Sequence, residues 1–113
     1  MHPLPDFLPP PVCDALHEAH AILIERYGVR LRHVVLYGSQ ARGDAHDESD
    51  VDVLVVLDEP VRRYEEVKRL VDVSMALFSR FGYWISFKVM PATDYEDPGH
   101  PLMINVRREG VAL

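Results

Sequence analysis

The chain has 113 residues, 48% of them hydrophobic and 27% charged, which supplies apolar material for one core and leaves no room for a second. Eighteen acidic residues stand against twelve Lys and Arg, a formal net charge of -6 that repels phosphate backbones and disfavours a general nucleic-acid-binding role. The single cysteine, Cys13, excludes an intrachain disulfide. No apolar run approaches membrane-spanning length, and the start Met1-His2-Pro3-Leu4-Pro5-Asp6 has neither the basic nor the apolar part of a signal peptide, so a cytoplasmic, membrane-free location is expected.

Residues 1–10 read as a loose arm and residues 11–113 as one domain. Pro9-Pro10-Pro11 suits the first turn of a helix, where a missing N–H costs nothing, and Leu16, Ala19, His20, Leu23 and Tyr27 recur at three- and four-residue steps up to Gly28, predicting a helix over about 11–27. His33-Val34-Val35-Leu36-Tyr37 is a β-branched and aromatic run that suits a buried strand. In the next strand Val51, Val53 and Val55 alternate with Asp50, Asp52 and Leu54 before merging into Val56-Leu57, so it turns from half-exposed to buried along its length. A helix over 61–80 follows, with Tyr64, Val67, Val71, Met75 and Phe78 as its apolar face and Gly82 as its stop. Tyr83 to Met90 reads as a third strand ended by Pro91, and Pro101 to Arg108 as a short helix stopped by Gly110. Helix, strand, strand, helix, strand, helix favours an α/β sandwich with a small, mostly covered sheet.

The stretch from Gly38 to Asp52 concentrates the residues with chemistry. Gly38 permits close backbone approach after the first strand, a helix start there turns N–H groups toward phosphate oxygens, and Ser39 adds a hydroxyl donor. Asp50 and Asp52 lie two apart on the next strand, so both side chains leave one face and can share a hard divalent cation; without a cation they repel. Phosphate donors beside paired carboxylates suit a Mg2+-nucleotide, because the metal bridges protein acid and phosphate oxygen. Five of the eighteen acids fall between Asp44 and Asp52, which focuses the negative field where a cation would sit.

The pattern Gly38-Ser39, ten residues, then Asp50-Val51-Asp52 resembles the signature of minimal nucleotidyltransferases of the DNA polymerase β superfamily. The likeness extends over about residues 12–110 in element order and in the closing Arg108-Glu109-Gly110. The resemblance implies an α/β (α+β) nucleotidyltransferase fold, a small mixed β-sheet packed with helices. It implies that Gly38 and Ser39 hold the triphosphate of ATP, that Arg42 stands near the phosphates or braces the loop, and that Asp50 and Asp52 bind Mg2+ and carry catalysis. Many members are encoded beside a HEPN-domain toxin and act as antitoxins, some by transferring AMP to a toxin tyrosine. The resemblance therefore implies transfer of AMP to a hydroxyl on a HEPN-family partner.

One departure from the family stands out. Its third acid sits on the strand after the long helix, where this chain has Ser86, and alternation puts Lys88 on the same face as Ser86. Lys88 is then placed to neutralise triphosphate charge, or to pair with Asp50 or Asp52. Loss of the third carboxylate weakens a second metal ion and keeps an alternative open: a catalytically weak or inactive interaction module that neutralises its partner by binding.

The remaining candidates have plainer readings. Asp44, Asp47 and Glu48 lack the EF-hand spacings and read as a solvated acidic loop, with His46 a surface histidine in it. His17 and His20 have no third ligand nearby, and Cys13 no paired histidine motif, so packing is expected of them rather than zinc or nucleophilic chemistry. Tyr83, Trp84 and Phe87 suit the core or a dimer contact before a stacked base. Arg62, Arg63, Lys68 and Arg69 give the long helix a basic side, either solvated or a docking surface for an acidic partner. Homo-oligomerisation depends on exposed apolar surface, which a sequence does not reveal.

Overall fold

In the computed structural model, which describes residues 2–46 and 49–113, Pro10 and Pro11 open the first helix, α1 (Pro10–Tyr27). Their missing N–H groups fall where a helix has no internal acceptor for them. Of the predicted stripe Leu16, Ala19 and Leu23 are fully covered, Tyr27 nearly so and His20 half-buried; Val12 joins them in the core, and Gly28 ends the helix at a φ of 55°. The preceding segment is less loose than expected, because Leu8 is buried in the core and the ring of Phe7 lies against Gly43.

The other elements are β1 (Leu31–Tyr37), α2 (Ser39–Arg42), β2 (Val51–Leu57), α3 (Arg63–Phe81), β3 (Ile85–Pro91), α4 (Ala92–Tyr95), α5 (Pro101–Glu109) and β4 (Val111–Ala112). The four strands form one sheet in the order β3-β2-β1-β4. β1 runs antiparallel to β2 and β4, whereas β2 and β3 are parallel, as a crossover through α3 requires. The fold is thus a mixed sheet with helices on both faces. Val34, Leu36, Val53 and Phe87 turn to the core under α1 and α3; Val35, Tyr37, Leu54 and Val56 turn to a second cluster with Met103 and Val106 of α5. Among the described residues no helix is long and apolar enough to cross a membrane.

The largest difference from the sequence reading is the rotation of α3. The predicted apolar face is mostly turned outward: Tyr64 is 79%, Val71 42%, Met75 60% and Phe78 51% exposed. Leu70, Val73, Ser74 and Leu77 are buried instead, and Ser74 Oγ donates a 2.6 Å hydrogen bond to the Ile85 carbonyl of β3. The helix carries two apolar stripes, and a 3.6-residue period does not choose between them. The buried one is Leu-rich and holds the small hydroxyl that reaches β3. Two short elements, α4 and β4, have no expectation to meet; β4 is two residues long and pairs Val111 with Leu36 and Ala112 with Val35.

Candidate active site

β1 ends at Tyr37, and the chain turns through Gly38 at a φ of 78° into the single turn of α2, which Gly43 closes at a φ of 80°. A side chain at position 38 is excluded twice. The conformation is left-handed, and a Cβ would run into the Asp52 carboxylate. The pairing of Tyr37 with Asp52 across β1 and β2 accounts for that approach, since it sets the glycine turn beside the start of β2. Ser39 is the first residue of α2 and is half-buried there, so the turn, its hydroxyl and Asp52 come together at one end of the sheet.

Asp50 is exposed just ahead of β2, and Asp52 is half-buried on the sheet face shared with Tyr37 and Leu54. Burial pushes the Asp52 carboxyl above its ordinary range and the charge of Asp50 adds to this; Lys88 and Arg42 pull it back in part, and Glu109 opposes them. The neighbouring Tyr37 hydroxyl is pushed up to about 12 by its own burial and by the charge of Asp52. A carboxylate left short of compensating charge, at a cradle that admits no side chain, fits a hard cation with a phosphate group.

Ser86 lies directly beside Asp52 in the parallel register, and Lys88 beside Leu54, so both face the Asp52 side of the sheet. The neighbour of Asp52 on β3 is therefore a hydroxyl where the family pattern has an acid. Among the described residues no three acidic, histidine or cysteine side chains gather as a metal site. Lys88 is exposed, and none of the ion pairs among the described residues involves it. Its influence on Asp52 is through space.

Sequence reasoning missed Glu109. This side chain, only 11% exposed, accepts a 3.0 Å hydrogen bond from the Gly38 N–H and pairs with Arg42 through distances of 3.1 and 3.3 Å. Arg42 also pairs with Asp44 at 3.1 Å and so links the loop to α5. The Gly38 amide points at a carboxylate of α5. No local sequence signal links the two residues; the structure brings them together because the end of α5 lies close against β1, where a Cβ at Gly110 would strike the Val106 carbonyl and come within 2.8 Å of Val35.

The other candidates are dispersed. Tyr83 and His46 line a small cleft beside the turn with Phe7 and Gln40, Phe87 is in the core, and Trp84 packs edge-on to Phe78 at 6.2 Å. His17, His20 and Cys13 join no metal site among the described residues, and burial with the charge of Asp14 pushes the Cys13 thiol up, against thiolate chemistry. The basic side of α3 is largely paired: Arg62 with Glu65, Arg63 with Asp94, Arg69 with Glu66. Asp47 and Glu48 lie outside the described residues.

Known proteins resemble this chain in sequence and in fold. Protein adenylyltransferase MJ1305, as it is named, from Methanocaldococcus jannaschii is 40% identical over 63 residues, 55% of this chain and 43% of its own. MJ0604 of the same organism, named likewise, is 32% identical over 72 residues, 64% of this chain and 66% of its own. The chain thus spans less than two thirds of the length of these relatives. Among solved structures, a minimal nucleotidyltransferase superposes with a TM-score of 0.55 at 26% identity, covering 90% of this chain and 93% of that one. A toxin–antitoxin structure with AMP-PNP superposes with a TM-score of 0.56 at 18% identity, covering 84% and 69%, and shares the fold. The sequence profile described as nucleotidyltransferase domain matches residues 17–91. Since that match runs from α1 to the last residue of β3, and so takes in the glycine turn, both aspartates and Ser86, this chain belongs to the nucleotidyltransferase domain family.

Proposed function

We propose that residues 11–113 bind ATP with Mg2+ and transfer AMP to a hydroxyl of a partner protein, a HEPN-family toxin, in the cytoplasm. The observation that carries this reading is the packing of the side-chain-free Gly38 turn against Asp52, with Ser39 next to it. The names of the two archaeal relatives as protein adenylyltransferases support the reaction class, and the toxin–antitoxin neighbour with AMP-PNP supports the nucleotide and the setting.

In this reading Ser39 and the backbone of the turn receive phosphate oxygens, and Gly38 keeps that approach open. Asp50 and Asp52 would hold Mg2+, which when bound supplies charge neutralisation for the triphosphate and the departing pyrophosphate. Arg42 and Glu109 hold the turn in place. Lys88, exposed on the same face, is free of a carboxylate partner among the described residues and faces the phosphates from β3.

A second reading, an interaction module with weak or no chemistry, is favoured by one observation: the β3 neighbour of Asp52 is Ser86, which cannot serve as a third anionic ligand. Calorimetric titration with Mg2+-ATP tests the binding half. Heat is expected from the native chain and none from Asp52→Asn; equal binding by both refutes the site. Radiolabel from α-labelled ATP on a co-expressed HEPN protein tests transfer, and label that survives Asp50→Ala counts against catalysis here. Binding without label is the result that supports the second reading.

A further inference from the structure

We propose that the outward stripe of α3, with the open edge of β3 beside it, is a two-fold interface at which a second copy of this chain docks antiparallel. Tyr64, Val67, Val71, Met75 and Phe78 follow one another at steps of three, four, four and three, which is one continuous line on a helix. Four of them are 42–79% exposed although the helix already buries a different face in the core. The four side chains offer on the order of 400 Å² per copy, about half of what one partner gives to a standard interface.

The sheet extends the same face. β3 is an edge strand. The Trp84 carbonyl accepts from Val51 N–H at 2.9 Å, so with strand alternation Phe87 and Val89 turn their backbone groups to the open side. The stripe runs along this edge: Phe78 lies against Trp84, and Tyr64 and Val67 share a groove with Val89 and Met90.

The charges select a second copy over an acidic partner. Arg63 and Arg69 have carboxylate partners and Arg62 only a long one at 3.7 Å, so an acidic partner would find Lys68 beside the stripe and Lys88 in the groove, whereas a second copy meets Lys68 with a carboxylate of its own. Along one flank of the stripe Lys68 precedes Asp72 by one turn. A two-fold axis near Val71 sets Tyr64 opposite the second copy's Phe78 and Val67 opposite the second copy's Met75. It also brings Lys68 and the second copy's Asp72 to about 3 Å of each other along the helix axis, on the same flank, twice over. Asp72 is 70% exposed, and its contact to Arg26 is long at 3.5 Å, so it is available for this exchange.

Sedimentation velocity of the native chain between about 5 and 500 µM tests the proposal, since an interface of this size gives micromolar rather than nanomolar association. The mass is expected to rise from 12.9 kDa toward twice that value. Met75→Glu should weaken association at least tenfold with an unchanged circular dichroism spectrum. Lys68→Asp should weaken it several-fold, and Lys68→Asp with Asp72→Lys should restore it. If Met75→Glu disturbs folding, the charge-swap pair alone decides. A chain that stays monomeric throughout the range overturns the proposal, whatever else binds this face, as does a dimer indifferent to Met75→Glu and to the charge swap.

Discussion

Replacing Glu109 by Ala withdraws the acceptor of the Gly38 N–H, a half-buried donor that the turn geometry holds against α5. Leaving such a group unpaired costs about 1–3 kcal/mol. The pair with Arg42 is solvent-exposed on the arginine side and adds little, while removal of the Glu109 charge relieves some repulsion on Asp52. The net is a loss of about 1–2 kcal/mol, or about 5–10 °C in Tm for a domain of this size. Glu109→Gln keeps an acceptor for the amide and should lose less than half as much. Calorimetric thermal unfolding of the three proteins at one pH measures this. The same variants titrated with Mg2+-ATP should bind more weakly, Ala more so than Gln, because the turn is no longer held. If Ala and Gln unfold together, or if Ala unfolds within about 1 °C of the native chain, the amide contact is not what positions the turn.

Three further outcomes are expected. Asp52→Asn should raise Tm in the absence of metal: the folded-state pKa of Asp52 lies above its ordinary value, so the charged carboxylate costs stability at neutral pH. In the native chain that cost shrinks as pH falls through the raised value, and a variant whose gain is the same at pH 4 and pH 7.5 would contradict the assignment. Ser86→Asp places a third acid in register with Asp52 and should lower metal-free stability while raising any transfer rate tenfold or more; a stable variant with no gain in either binding or transfer sinks the idea of a missing ligand. Leu70→Ala should cost about 2–4 kcal/mol and Tyr64→Ala less than about 0.5 kcal/mol in dilute chemical denaturation, and the reverse order would return α3 to the face that periodicity predicts.

Much of the candidate site was legible because its parts are local. Gly38, Ser39, Asp50 and Asp52 lie on either side of one loop, and period-two alternation puts Ser86 and Lys88 on one face of β3, which the β2–β3 register then sets on the side of Asp52. The strand alternation of Val51, Val53 and Val55 and the proline start of α1 were legible for the same reason: each signal sits within a few residues of what it specifies. Glu109 was not, for it meets Gly38 across 71 positions, and nothing near either residue names the other. Nor was the rotation of α3, whose two apolar stripes are equivalent until Leu70, Val73 and Leu77 meet the sheet.

The amino-acid sequence by itself determined the long helices and the three main strands, and that Asp50 and Asp52 fall at the start of the second strand after a Gly38-Ser39 turn, because backbone conformation and side-chain alternation are short-range properties. Only the tertiary structure decided which side of α3 is core and which is left open, and that a carboxylate from α5 holds the glycine turn. Both depend on contacts between distant segments, where packing and charge compensation choose among arrangements that local patterns leave equal.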